Sequence, residues 1–255
     1  MANEVFSDRR TEGREQSRYA AVSVPMLPRP FALHATLRAV RRTAFSSLCA
    51  LFLAAAAQAG SPDEGANNVR LNWGKSSETD LTTAIFGDYK ASKESNYMWG
   101  GSWGHRLTPT MFGLPFELTG NVGLQWFNER GLQDDSYGIN AYIKAHYLWQ
   151  LPLTQKHVRI GLGEGLSYVT RVPLSEERDF QKKGPGIHSE KLLNYVEWTI
   201  DVPLRQFGTM DRLIGKNIDE VYVGFFIFHR SSIFGLMAET KGGVNFMGLG
   251  FEARY

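Results

Sequence analysis

Strict two-residue alternation of apolar and polar side chains dominates the chain from residue 69 to its end. In FELTGNVGLQW (residues 116–126), the apolar side chains occupy even positions and the polar ones occupy odd positions. The segments YGINAYIKAHYLWQL (137–151) and LLNYVEWTIDVPL (192–204) alternate in the same manner. Because successive side chains of a β-strand point to opposite faces, this pattern predicts long strands with one apolar and one polar face. The sequence therefore predicts an all-β fold.

A soluble β-sandwich would alternate too, but three features favour a membrane barrel. The predicted strands exceed the roughly 5–6 residues usual in soluble sheets and suit a tilted membrane span of about 9–11 residues. The chain ends on FMGLGFEARY, and an aromatic C-terminus that closes an alternating strand resembles the assembly signal of Gram-negative outer-membrane barrels. Tyrosine and tryptophan also recur at the ends of the apolar faces, as a membrane-interface girdle requires: Trp126, Tyr137, Trp149, Tyr168 and Trp198.

Eight alternating segments predict an eight-stranded antiparallel transmembrane β-barrel of the bacterial outer membrane, with an interior filled by side chains. If both termini lie in the periplasm, the polar NERGLQDDS and the charged PLSEERDFQKKGPGIHSE face the cell exterior. Residues 77–92 do not alternate, and they predict a first outer loop with a helical turn. The predicted strands are 68–75, 96–106, 116–128, 136–151, 157–172, 191–205, 219–233 and 243–255.

The N-terminal region predicts export. Residues 38–59 have a basic start, a short apolar run and the small-x-small sequence Ala57-Gln58-Ala59, which is typical of a signal peptide. Residues 1–37 are interpreted as a disordered or untranslated extension, with Met1 and Met26 both open as starts, and residues 60–255 as the barrel. The net charge of +2 gives no indication of nucleic-acid binding.

The stretch GFFIFHRSSIFG (224–235) places a histidine and a serine on a face that is otherwise apolar. In a strand, His229 and Ser231 share this face with Val223, Phe225 and Ile227. This predicted strand runs outward, so the pair lies at its outer end and faces lipid. Positions i and i+2 lie about 7 Å apart, and a histidine can activate a serine hydroxyl as a nucleophile. Alternatively, the pair only hydrogen-bonds to sugars at the membrane interface.

The C-terminal third carries a resemblance to a known family. FHRSSIFG followed by GGVNFMGLGFEARY resembles the C-terminal signature of the PagL-type lipid A 3-O-deacylases. That signature has a His-x-Ser pair on the penultimate strand, a glycine soon after it, and Gly-x-(acid or amide) entering the last strand. RIGLGEGLSYVTRVP (159–173) is similar to a broader group of PagL-related outer-membrane proteins, and the resemblance is strongest over residues 157–255.

The resemblance implies an eight-stranded outer-membrane barrel whose catalytic pair faces lipid. By position, Ser231 would attack an ester carbonyl of lipid A, His229 would be its general base, and Asn245 would be the third member. It also implies that lipopolysaccharide and other outer-membrane lipids are the partners and that no cofactor or metal is needed.

The chain departs from the family signature at two positions. Asn245 stands where some relatives have glutamate, and an amide can orient a histidine but cannot balance the charge of an imidazolium. Glu239 is an alternative acid. Ser232 stands where the family usually has asparagine, and its hydroxyl is the candidate oxyanion donor.

Glu164 occupies a predicted lipid-facing position with Leu162, Leu166 and Tyr168, opposite a face of three glycines. An unpaired carboxylate there is unfavourable away from the interface. We expect a bulge in the glycine-rich strand to turn Glu164 inward. The alternative is that it works with the surface site.

Other polar residues indicate no separate site. His105, His146, His157 and His188 are scattered without metal-ligand spacing, and Lys144, Glu197 and Asp201 are expected to form ion pairs inside the barrel. Two functional hypotheses remain: a lipid-facing serine esterase, and a noncatalytic structural or adhesive barrel. A channel is disfavoured because eight strands leave no open lumen. The sequence leaves open whether the barrel forms a homodimer.

Overall fold

Eight strands form a closed antiparallel barrel in the computed structural model, which describes residues 65–233, 235–238 and 242–255. Each strand pairs with its neighbours in sequence, and β1 pairs with β8. This confirms the predicted fold, and the strand bounds differ from the predicted ones by a few residues. The strands are β1 (Asn67–Ser77), β2 (Tyr97–Thr108), β3 (Phe116–Asn128), β4 (Ser136–Gln150), β5 (His157–Val169), β6 (Leu192–Pro203), β7 (Glu220–Ser231) and β8 (Gly243–Arg254).

The two ends of the barrel differ. Reciprocal backbone hydrogen bonds between Asn67 and Tyr255, at 3.1 and 3.0 Å, hold the start of β1 and the end of the chain together. We call this the terminal end and the opposite one the loop end. Segments 78–96, 129–135, 170–191 and 232–242 connect strands at the loop end. The predicted extension 1–37 and signal peptide 38–59 lie outside the described residues.

Within the described ranges, three short helices lie in the connections between strands. Helix α1 (Leu81–Ala84) follows β1 and confirms the predicted helical turn. Helices α2 (Leu174–Gln181), between β5 and β6, and α3 (Gly208–Leu213), between β6 and β7, were not predicted. None of the helices in the described ranges is long and apolar enough to cross a membrane.

The outer face of the barrel is apolar, and its interior holds charged and polar side chains together with a buried aromatic cluster that includes Phe127, Phe228 and Phe246. The outer face of the barrel exposes large apolar side chains, whereas charged and polar side chains lie buried inside. A continuous exposed apolar surface of this kind is suited to an apolar surrounding. Among the exposed apolar residues are Leu71, Leu124, Tyr137, Ile139, Leu162 and Leu249.

A network of buried ion pairs fills part of the interior. Asp201 accepts hydrogen bonds from Arg70 at 3.1 Å and from Arg159 at 3.0 Å. Both arginines also contact a second carboxylate, that of Glu252. Lys144 contacts Glu197 at 2.6 Å. The predicted interior ion pairs of Lys144, Glu197 and Asp201 are therefore confirmed, and each charge has an opposite charge beside it, as buried ions require.

Helix α2 packs against the loop end of the barrel. Its Phe180 is fully buried, and its Glu176 forms a buried ion pair with Arg230 of β7 at 3.1 Å. Arg230 also donates to the backbone oxygens of Glu190 and Lys191, at 3.1 and 2.9 Å. The helix therefore holds the end of β7 in place from the inside.

Candidate functional site on the outer face of the barrel

Strand β7 carries His229 and Ser231 on the outer face of the barrel at its loop end. Phe226, Phe228 and Arg230 of the same strand point inward and are buried. Because side chains alternate along a strand, His229 and Ser231 point outward, and both are partly exposed. The structure therefore brings the histidine and the serine to one face.

Strand β8 completes the surroundings of the imidazole. In the β7–β8 register, His229 lies opposite Asn245 and Ser231 lies opposite Gly243. His229 Nδ1 is 2.8 Å from Asn245 Oδ1. A Cβ added to Gly243 would lie 2.7 Å from Cε1 and 3.1 Å from Nε2 of His229. The Nε2 edge of the ring thus lies over the cross-strand neighbour of Ser231, where only glycine leaves room for it.

The Asn245 amide is held in one orientation. Its Oδ1 faces His229 Nδ1, and its Nδ2 donates to the backbone oxygen of Thr79. Since a carbonyl oxygen only accepts, the amide NH₂ must face Thr79 and the amide oxygen must face the imidazole. This places the imidazole proton on Nδ1 and leaves Nε2 as a hydrogen-bond acceptor.

The Ser231 hydroxyl contacts the backbone of the following turn. Its oxygen accepts the backbone N–H of Ile233 at 3.1 Å. Within the described residues, no hydrogen bond joins Ser231 to His229. Catalytic hydrogen bonds are often formed only once substrate binds. Ile233 itself has a φ of 46°, which is a strained conformation for a β-branched residue.

Helix α1 folds back over the outer face beside these residues. Ile227 of β7 and Met247 of β8 lie opposite each other and point outward, yet both are buried. They pack in one cluster with Ala84 of α1, with Leu81 and Ile85 against them. The connection between β1 and β2 therefore forms one wall of the site, and its Thr79 contributes the hydrogen bond to Asn245.

Strands β5 and β6 contribute further polar side chains on the other side of Ser231. Asn194 lies directly opposite Ser231 in the β6–β7 register. Its Nδ2 donates to Glu164 Oε1 at 2.8 Å. Strand β5 pairs with β4 and β6 without a register shift, so the expected bulge at Glu164 is wrong. Glu164 stays on the outer face because the unbroken alternation of β5 keeps it there.

The outer face at the loop end is divided into an aromatic part and a polar part. On β2 to β5 it exposes tryptophan and tyrosine, and the register sets each beside the next: Trp99 opposite Trp126, and Trp126 opposite Tyr137. On β6 to β8 the same end carries polar side chains: Asn194, Ser231, His229 and Asn245. The polar part thus occupies one side of the barrel wall.

The two other predicted site residues are Ser232 and Glu239. Ser232 is fully buried, and its hydroxyl oxygen accepts the backbone N–H of Gly242 at 2.9 Å. The structure therefore does not bring the Ser232 hydroxyl to the outer face with Ser231. Glu239 lies outside the described residues.

His105 and His146 lie on β2 and β4, not on the strands that carry the candidate site. His105 contacts Asn67 at 3.0 Å, and His146 lies buried beside Thr119. Nowhere in the described ranges do three or more histidine, cysteine or acidic side chains gather as metal ligands would.

Sequence analysis missed Asn194 and Thr79. Asn194 left a signal, because it is the polar residue within the outward-facing positions of LLNYVEWTIDVPL. Thr79 left none, since it acts through its backbone oxygen and lies far from Asn245 in sequence.

The chain was compared with family models, with curated proteins and with solved structures. No family model and no curated protein matches the chain. Among solved structures, it is similar to the crystal structure of the outer membrane protein OprG from Pseudomonas aeruginosa, with 12% sequence identity and a TM-score of 0.28. The match covers 74% of this chain and 96% of that one. At this TM-score the likeness carries no argument about function, and nothing in it is specific to lipid A deacylases.

Proposed function

We propose that this protein is an outer-membrane serine esterase that removes an ester-linked (3-O) hydroxyacyl chain from lipid A of lipopolysaccharide. The observation that carries the proposal is the arrangement of His229 on the apolar outer wall. Its Nδ1 is held by Asn245 at 2.8 Å, and its Nε2 edge lies over the cross-strand neighbour of Ser231. A base whose accepting nitrogen lies next to the strand position opposite a serine suits ester hydrolysis once a substrate is bound, and its place on the wall suits a lipid substrate.

The proposed location in the outer membrane rests on the surface of the barrel. The outer face is apolar, and aromatic side chains such as Trp126 and Tyr137 are exposed near its loop end. Such residues favour the boundary between lipid chains and headgroups. With the loop end outside the cell, the candidate site would lie in the outer leaflet, where lipopolysaccharide is found.

The proposed reaction begins with attack by the Ser231 oxygen on the ester carbonyl carbon. His229 Nε2 takes the hydroxyl proton while Nδ1–H donates to Asn245. As the ester C–O bond breaks, the imidazolium gives its proton to the departing sugar oxygen, and an acyl-serine forms. Water then attacks the acyl-serine with His229 as base, which releases the carboxylic acid and restores Ser231.

The oxyanion of each tetrahedral intermediate requires a donor. Ser232 is the donor that the family resemblance implies, but its hydroxyl contacts Gly242 instead. The backbone N–H of Ile233 already lies 3.1 Å from the Ser231 oxygen, so we assign the donor role to this group.

Mass spectrometry of lipid A tests the proposal directly. Lipid A would be extracted from cells that express the wild type, Ser231→Ala or His229→Ala, with each barrel shown to be folded by its heat-dependent mobility on electrophoresis. We expect loss of one hydroxyacyl mass with the wild type and intact lipid A with both variants. Intact lipid A in all three would reject the esterase and favour the structural or adhesive barrel.

A further inference from the structure

Glu164 is a polar side chain on the outer wall that the proposed reaction leaves without a role. It lies in the middle of β5, on the exposed face between Leu162 and Leu166. A carboxyl group is unfavourable on a lipid-facing surface away from the interface. A carboxyl group at this position therefore suits a polar ligand on the lipid side.

The hydrogen bonds of Glu164 leave one oxygen available. Oε1 accepts from Asn194 Nδ2 at 2.8 Å. Oε2 has no hydrogen-bond partner among the described residues. Asn194 is buried and fixes the carboxyl group on one side, so that the other oxygen is presented along the wall. A carboxylate oxygen accepts hydrogen bonds, and its ligand must therefore be a donor such as a hydroxyl or an amide N–H.

The register fixes where this oxygen lies relative to Ser231. Asn194 faces Ser231 across the β6–β7 pair, and Glu164 faces Val196 across the β5–β6 pair. Residue 164 is thus farther from the loop end than Ser231. In the orientation proposed above, this direction leads from the ester carbonyl along the acyl chain into the bilayer. The donor would therefore belong to the acyl chain and not to the sugar.

From this placement we propose that Glu164, held by Asn194, binds the hydroxyl group of a hydroxyacyl chain and selects hydroxylated over plain acyl esters. The proposal rests on the esterase function and names the residue that sets its acyl specificity. Side-chain hydrogen bonds that involve a charged group are strong enough to give a preference of about tenfold or more.

The test uses two glucosamine esters of equal chain length, one with a 3-hydroxyacyl group and one with the plain acyl group, in detergent micelles. We expect the wild type to favour the hydroxyacyl ester in kcat/KM by about tenfold or more. Glu164→Leu should lose this preference through slower hydrolysis of the hydroxyacyl ester alone. Tyr168→Phe, on the same face of β5, is the control and should keep the preference.

A binding measurement separates this proposal from the esterase. Ser231→Ala protein cannot form the acyl-serine, and its affinity for the two esters is measured with and without Glu164→Leu. Tighter binding of the hydroxyacyl ester by Ser231→Ala, lost when Glu164→Leu is added, supports the specificity site. Failure of the wild type to hydrolyse either ester would reject the esterase but not this binding preference. Equal binding of both esters by Ser231→Ala, or an unchanged preference in Glu164→Leu, would overturn the specificity site.

Discussion

The Asn245 side chain bridges the His229 imidazole and the Thr79 backbone. It accepts at Oδ1 from His229 and donates at Nδ2 to Thr79. In this position it sets which ring nitrogen carries the proton without adding a negative charge. The consequence is a base with a fixed orientation whose imidazolium form is stabilised less than it would be beside a carboxylate.

Asn245→Ala should therefore impair chemistry more than binding. We expect kcat on a lipid A ester to fall at least tenfold with little change in KM, because the imidazole loses its tautomer and orientation. Asn245→Asp retains an acceptor for Nδ1–H and should retain more activity than Asn245→Ala. Steady-state kinetics in micelles measure both, and an unchanged kcat in Asn245→Ala would contradict the assigned role.

Glu129 gives the loop end a dependence on pH. It follows β3, is fully buried, and accepts hydrogen bonds from Asn96 at 3.1 Å and from the backbone N–H of Leu174. Burial raises its pKa to about 7, although these hydrogen bonds oppose the rise. The folded protein therefore binds this proton more tightly than the unfolded chain does. The associated stability is present below about pH 4.5 and is lost as the pH rises through about 7.

Urea unfolding in micelles at pH 5 and pH 8 tests this dependence. The wild type should lose on the order of a few kcal/mol more stability between these pH values than Glu129→Gln, which has no proton to release. An identical loss in both proteins would show that Glu129 does not titrate in this range.

At the residue scale, sequence analysis identified His229, Ser231 and Asn245, and the structure places these three together on the outer face. Sequence analysis could not predict which face of β5 carries Glu164, because the choice between a bulge and an unbroken strand depends on the pairing of β5 with β4 and β6. Register is set by all paired residues at once, so a single carboxyl group leaves it unchanged.

Helix α1 shows how a connecting element can shape a site on a barrel wall. Ala84 is fully buried against the outward-facing Ile227 and Met247. This packing keeps the segment that contains Thr79 against β8. The helix covers apolar strand residues that would otherwise contact lipid, and it is part of the site although it carries none of the reactive groups.

Ala84→Glu should detach this segment without unfolding the barrel. A buried, unpaired charge is strongly unfavourable, so we expect α1 to leave the wall, Asn245 to lose its contact with Thr79, and kcat to fall at least tenfold. Thr82→Glu, at an exposed position of the same helix, is the matched control. Activity and heat-dependent mobility on electrophoresis are the measurements, and full activity in Ala84→Glu would contradict the role of α1.

Helix α2 supports the site from inside the barrel through the Glu176–Arg230 ion pair, in which both side chains are fully buried. Glu176→Leu leaves an uncompensated buried arginine and should lower the free energy of unfolding by about 3–5 kcal/mol. The double variant Glu176→Leu/Arg230→Leu removes both charges and should recover much of this loss. Urea unfolding measures these differences. Equal stability of Glu176→Leu and the wild type would show that the pair does not hold β7.

At the element scale, the strands were predictable and the helices were only partly so. Period-two alternation extends over whole strands and is therefore a strong signal. LSEERDFQ, the sequence of α2, is short and mostly charged. Its helical form depends on burying Phe180 and pairing Glu176 at the loop end, and these tertiary contacts leave little trace in the local sequence.

The whole molecule combines an interior of buried ion pairs and aromatic side chains with an apolar exterior. Buried pairs such as Lys144–Glu197 occupy the space where a channel would run. In the proposed function, chemistry takes place on the outer wall, at the polar part of the wall on β6 to β8. In the proposed esterase, Ser231 is a nucleophile that is reached from the lipid phase.

Covalent labelling with a long-chain fluorophosphonate tests this claim most directly. The probe partitions into the micelle that surrounds the barrel, and intact-mass and peptide mass spectrometry locate the adduct. We predict one adduct on Ser231, slowed by added lipid A and absent from His229→Ala. An adduct on Ser232 or on another residue, or no adduct on the folded wild type, would contradict the account.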